Sequence, residues 1–214
     1  MKSTTPAHPY RQTARAESAA ATGRRIVEAF LERLGEQWYD EITLDWVADE
    51  AGVTVQTVVR RFGGKAGLLG EAIREMVRRA KKRRAAPPGD LERLVRNWVD
   101  DYERTGDTII RLLAVEGRHA GLHEHLTHAR RRHRAGIARA FADDLGLLEA
   151  SSRQSALDAL VIATDVCTWK LLRRDMGRAV AGTRAAITGM IRSTLAAHQS
   201  AQKINDSRKR GLGQ

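Results

Sequence analysis

Thr43 to Leu69 reads TLDWVADEAGVTVQTVVRRFGGKAGLL, and the spacing of its residues decides the fold. Thr43 can cap a short helix, with Asp45 near its start where the helix dipole favours negative charge. Val47 and Ala51 sit four apart and can face inward. Gly52 follows at the position where a left-handed backbone is accessible at little cost only to glycine. Thr54 caps a second helix, Val55 to Arg61, with Val58 and Phe62 four apart on its buried side. Two short helices joined by a tight glycine turn form a helix-turn-helix, whose second member can enter the major groove of duplex DNA. On spacing alone, a purely structural αα-hairpin is the alternative.

The second helix has side chains suited to DNA. Gln56, Thr57, Arg60 and Arg61 are hydrogen-bonding or cationic, and no acidic residue occurs from Val53 to Leu69. A surface that meets phosphates excludes carboxylates. Lys65, after Gly63-Gly64, opens the next helix, so its ammonium and the free backbone N–H groups there can share one phosphate.

Working outward, the 214 residues suffice for a substantial core, and 42% of them are hydrophobic, which marks a globular chain. The formal charge of +11 and a pI near 10.6 attract polyanions, nucleic acid first and anionic membrane second. Cys167 is the single cysteine, so no intrachain disulfide is possible. The segment Met1–Tyr10 lacks the apolar run of a secretory signal, and no window approaches eighteen uninterrupted apolar residues. These features predict a cytoplasmic protein without a membrane span. Apolar residues recur at three and four, as in Ile26, Phe30 and Leu34, or Leu69, Ile73, Met76 and Val77, and alternating Val/Ile runs are absent. The class is therefore all-α, with about nine helices. Breaks are expected at Gly52, Gly63-Gly64, Ala86-Pro87-Pro88-Gly89, Gly106, Gly121, Gly146 and Gly177.

The motif resembles the signature of the TetR family of transcriptional regulators, in which a helix ending A-G-V-S leads to x-x-T-L-Y-x-H-F-x-x-K-x-x-L-L. This chain has Ala51-Gly52-Val53-Thr54, then Thr57-Val58-Val59-Arg60-Arg61-Phe62, then Lys65 and Leu68-Leu69. Trp169 to Gly177, WKLLRRDMG, is similar to the junction between that family's last two helices. There are departures: Val59 replaces the usual tyrosine, Arg61 the usual histidine, Gly64 a Ser or Thr, and Trp38 a glycine.

The resemblance implies a layout. Residues 1–18 form a flexible basic arm and 19–66 a three-helix DNA-binding domain. Residues 67–200 form a larger helical domain for ligand binding and dimerisation, and 201–214 a disordered basic tail. It implies that Thr43, Thr57, Arg61 and Lys65 hold phosphates, with Thr54 capping beside them. Val55, Gln56 and Arg60 then face base edges, Gln56 suited to adenine and Arg60 to guanine. Arg11 and Arg15 of the arm could reach the minor groove, although plain disorder is the simpler reading. The partners implied are a palindromic DNA operator, a second copy of the chain and a small-molecule effector. The action implied is that of a repressor, with no enzymatic activity and no cofactor.

For the larger domain, Leu157, Leu160, Val161, Thr164, Thr168 and Leu171, followed by Ile187, Ile191 and Leu195, give two amphipathic helices suited to a four-helix interface. The alternative on pattern alone is that they close the chain's own core. Effector-wall candidates are Trp98, Tyr102, Leu113, Glu116, Phe141, Asp165 and Trp169, since pockets combine aromatics with isolated polar groups. Such residues equally build ordinary cores. The histidines His119, His123, His125, His128 and His133 invite a metal, but Gly121 and Arg130-Arg131-Arg132 argue for a solvated basic face. A metal-assisted hydrolase would need a nucleophile–base pair or a dense carboxylate cluster, and neither is evident. A basic adaptor that coats DNA without an inducer is the third possibility.

Overall fold

The computed structural model describes residues 9–87 and 89–211. Helices α1 (Pro9–Glu36), α2 (Leu44–Glu50), α3 (Val55–Phe62) and α4 (Lys65–Arg83) come first. Then follow α5 (Leu91–Val115), α6 (Ala120–Ala140), α7 (Ala142–Gly146), α8 (Ala150–Ala163), α9 (Val166–Lys170) and α10 (Val180–Gly211). Short 3₁₀ turns stand at Tyr39–Glu41 and Glu116–Arg118, and a π-helical turn at Leu171–Asp175 continues α9. No strand occurs among the described residues. The all-α class holds, with ten α-helices among the described residues where about nine were expected.

Two compact units divide the chain, residues 1–76 and 77–214, so the division falls within α4, ten residues beyond the expected boundary. The ends also differ from expectation. From Pro9 onward the supposed arm is helical: Pro9 sits at the first helical position, where no amide donor is lost, and good helix formers such as Ala14, Arg15, Ala16 and Glu17 follow. Likewise α10 runs through the supposed tail as far as Gly211. Residues 1–8 of the expected arm and 212–214 of the expected tail lie outside the described residues.

In the first unit, Ile26, Phe30 and Leu34 from α1 bury with Val47, Ala48, Val58, Leu68 and Leu69. Phe30 meets Tyr39 edge to face, centroids 6.5 Å apart, a geometry favoured by the ring quadrupoles. In the second unit, α10 packs on α5 and α8, α5 on α9, and α6 on α8. Its core gathers Trp98, Val99, Tyr102, Ile137, Phe141, Leu160, Trp169, Ile187 and Ile191.

The break expected near Gly121 falls just before it, where α6 starts at Ala120, but the one expected near Gly106 is absent, for helix α5 runs unbroken through that residue. At Gly106 the reason is packing. A Cβ there would lie 2.3 Å from Cζ3 of Trp169, so the missing side chain makes room for the indole.

Candidate nucleic-acid interface

The helix-turn-helix forms from its own local signals. The Thr43 hydroxyl accepts the Trp46 amide at 3.3 Å and so caps α2. Gly52 takes φ 63°, and the Val53 amide closes back on the Ala48 carbonyl at 2.9 Å, ending that helix. The Thr54 hydroxyl then accepts the Thr57 amide at 3.3 Å and starts α3. Gly63, at φ 74°, ends α3 one turn after Val59.

Burial orients α3. Val58 is wholly buried and Phe62 half-buried, whereas Gln56, Val59, Arg60 and Arg61 are exposed. Val55 and Thr57 are intermediate, and the Thr57 hydroxyl also meets that of Thr54 at 3.0 Å. The exposed face of α3 is thus cationic and hydrogen-bonding, with Val59 as an apolar island. Arg61 leans toward α1: a Cβ on Gly23 would fall 2.4 Å from its guanidinium.

Lys65 is more engaged than a free phosphate ligand. Its Nζ donates to the Asp40 carbonyl at 3.3 Å and stands 4.5 Å from the Tyr39 ring centroid. Burial lowers its pKa against the opposing pull of Asp40. An ammonium has three donors, so this contact leaves others for a phosphate. Arg15 is exposed on α1, while the Arg11 side chain lies outside the described residues. Sequence reasoning missed Gly67, whose Cβ would fall 1.7 Å from the Phe62 carbonyl oxygen, so glycine lets α4 begin directly against the end of α3.

The positive charge is not where the motif is. Residues 1–76 hold ten Lys/Arg against eleven Asp/Glu, a net −1. Residues 77–214 hold twenty-seven against fifteen, a net +12. The high pI therefore reports on the second unit.

The effector-wall candidates lie in that second unit and have protein partners. Trp98, Tyr102, Phe141 and Trp169 are buried in its core, and Leu113 packs against it. The Tyr102 hydroxyl donates to the Thr164 carbonyl at 3.0 Å, and the Trp169 indole N–H donates to Glu103 at 2.7 Å. Glu116 accepts from Arg130, which holds its carboxyl below the usual range. Asp165 caps α9 through the Cys167 amide at 2.8 Å. A polar group that sequence reasoning missed lies beside them. Asp101, fully buried, accepts from Arg83 at 2.5 Å and Arg84 at 2.6 Å, and the Arg84 guanidinium covers the Tyr102 ring at 4.4 Å. No sequence signal marked it, since three of its helical neighbours at three and four, Asn97, Arg104 and Thr105, are polar.

The pairing residues need correction. Leu160, Thr164, Ile187 and Ile191 are buried within the single chain, so they close its own core. Leu157, Val161 and Leu195 are half-buried against that core, and Thr168 donates to the Ile162 carbonyl at 2.5 Å. Of the nine, only Leu171 is exposed, by about half of its surface. The exposed large apolar residues of this region are Ile162, Leu171, Met176, Met190 and Ile204. The histidines are dispersed: His123 contacts Glu116, and half-buried His133 meets the Thr164 hydroxyl at 3.1 Å.

A helix-turn-helix of this build, heading a larger helical unit in which no described helix is long and apolar enough to cross a membrane, defines a DNA-binding regulator. Residues 26–72 match the family model described as bacterial regulatory proteins, tetR family. The N-terminal region is thus a helix-turn-helix domain of the TetR type. Two Rhodococcus crystal structures share its fold. One is a transcriptional regulator at 15% identity, covering 83% of this chain and 97% of its own, with a TM-score of 0.67. The other is a candidate TetR-family regulator at 18% identity, covering 82% and 99%, with a TM-score of 0.69. No curated protein matches the chain in sequence.

Proposed function

We propose that the protein is a dimeric repressor that holds a palindromic operator through α3 and releases it when a small molecule binds the second unit. The carrying observation is the capped α2–α3 pair, in which the exposed face of α3 presents Gln56, Val59, Arg60 and Arg61 without a carboxylate. Gln56 and Arg60 suit bidentate contacts to adenine and guanine, and Val59 suits a thymine methyl. Thr43, Thr57, Arg61 and Lys65 hold phosphates and fix the register, with Thr54 setting the start of the reading helix. Pairing of two copies through Ile162, Leu171, Met190 and their surroundings would cover apolar surface that a monomer leaves wet. Two reading helices about 34 Å apart then meet successive major grooves.

The effector reading rests on the buried polar groups among the aromatics Trp98, Tyr102 and Trp169. Because each already has a protein partner, an effector would exchange those contacts. Release requires that it bind the DNA-free arrangement more tightly. The protein acts in the cytoplasm, where operator and effector meet, and catalyses nothing.

Selection of bound duplexes from a random pool tests this. The expected product is a palindrome, bound by dimers, with binding lost in Gln56→Ala and Arg60→Ala. Absence of any preference over unrelated duplex at about 0.15 M salt overturns it.

A further inference from the structure

Part of the second unit's cationic surplus lies on one face of α6. His128, Arg131, Arg132, Ala135 and Arg139 recur at three and four, share one side of the helix, and are all exposed. Leu122, Leu126 and Ile137 occupy the other side and are buried, so the basic stripe is the outer face. Neighbouring arginines are already paired, Arg130 with Glu116 and Arg134 with Asp158. Arg131, Arg132 and Arg139 have no ion-pair partner among the described residues. A single carboxylate, Glu124, lies on the same side, one turn before His128.

From His128 to Arg139 the stripe spans about 17 Å at 1.5 Å per residue. An equal length of duplex carries roughly ten phosphate charges. With a net −1, the N-terminal unit offers little long-range attraction to such a polymer, whereas the +12 unit attracts it strongly. Arginine forks pair with phosphate oxygens two at a time.

We propose that the outer face of α6 is a second, sequence-independent binding surface for the phosphate backbone of duplex DNA. It is separate from the reading helix α3. It gives the regulator an affinity for DNA of any sequence beyond what phosphate contacts around α3 supply, and it does not depend on the repressor reading above.

The test uses the full chain and a fluorescent duplex of unrelated sequence, with affinity followed from 0.05 to 0.3 M salt. Replacing Arg131, Arg132 and Arg139 with glutamine removes three phosphate contacts. It should flatten the slope of log affinity against log salt by about 2.7. The affinity that wild type loses between 0.05 and 0.2 M salt is then roughly 40-fold greater than the variant's loss. The triple lysine variant keeps the wild-type slope. An unchanged slope in the glutamine variant overturns the proposal. So does a glutamine variant that loses binding to vesicles of anionic lipid while holding duplex as before. Failure to find an operator would count against the repressor reading alone, because the α6 measurement uses no operator.

Discussion

Gly106→Ala is a one-carbon change that should unfold the second unit at a lower temperature. The added Cβ would meet Trp169 at 2.3, 2.6 and 2.7 Å, from Cζ3, Cη2 and Cε3. Carbon atoms rest about 3.5–4.0 Å apart, so the ring must retreat by more than an ångström. It has little freedom to do so. Trp169 is fully buried, its N–H is held by Glu103 at 2.7 Å, and Arg174 covers its face at 4.6 Å. Overpacking costs about 1–3 kcal/mol, and loss of a hydrogen bond to a charged acceptor about 1.5–3 kcal/mol. Alanine's better helix propensity returns about 1 kcal/mol. The net is a destabilisation of roughly 1.5–5 kcal/mol, which in a unit of this size lowers the melting temperature by about 3–20 °C. Thermal unfolding followed by far-ultraviolet circular dichroism reads it directly. Trp169→Leu in the same chain should absorb most of the added clash, so the double variant falls short of the summed single effects. An equal or higher melting temperature for Gly106→Ala would refute the reasoning, since helix propensity alone would then be acting.

Thr54→Ala removes the cap of α3 and should destabilise the first unit by about 1 kcal/mol, read by urea denaturation, with weaker DNA binding alongside. Thr183→Val should stabilise the second unit by about 1 kcal/mol, because the Thr183 hydroxyl is buried without a partner and valine has the same shape; a lower melting temperature would count against this. Burial, reinforced by Arg84, holds the pKa of His133 below its ordinary value. The unfolded chain therefore takes up a proton first, and stability falls as pH drops below about 6.5, levelling off below the folded pKa. His133→Gln should remove that part of the fall in melting temperature while leaving the curve above pH 7 unchanged in shape.

What was legible in the sequence was what local chemistry fixes. Thr43, Gly52, Thr54 and Gly63 act on neighbours within four residues, so the helix-turn-helix could be placed from spacing alone and its caps formed as expected. Contacts distant in the chain were not legible. Gly106 looked like a break because glycine weakens helices, whereas its partner Trp169 lies sixty-three residues away. Asp101 looked like an ordinary surface acid until Arg83 and Arg84 were brought to it. The residues proposed for pairing divide for a related reason. Periodicity marks which residues share a face, and both the chain's own core and a partner would select the same apolar types. Leu160 and Ile191 proved to serve the core, leaving Ile162 and Met190, their sequence neighbours, at the surface.

The division of charge changes how recognition by α3 should be understood. A pI near 10.6 suggests a molecule pulled onto DNA by its net field, but that field arises in residues 77–214. Within the first unit, Asp45, Asp49 and Glu50 on α2 are exposed and offset Arg60, Arg61 and Lys65 in the sum. Screening confines each charge to about 8 Å at physiological salt, so a phosphate docked on α3 responds to the charges nearest it. From Val53 to Leu69 those charges are all positive. The first unit can therefore be neutral at a distance and cationic at contact. Such a surface gains little from DNA that does not fit it, because the favourable charges act only once α3 is seated. Neutrality at range would thus serve discrimination.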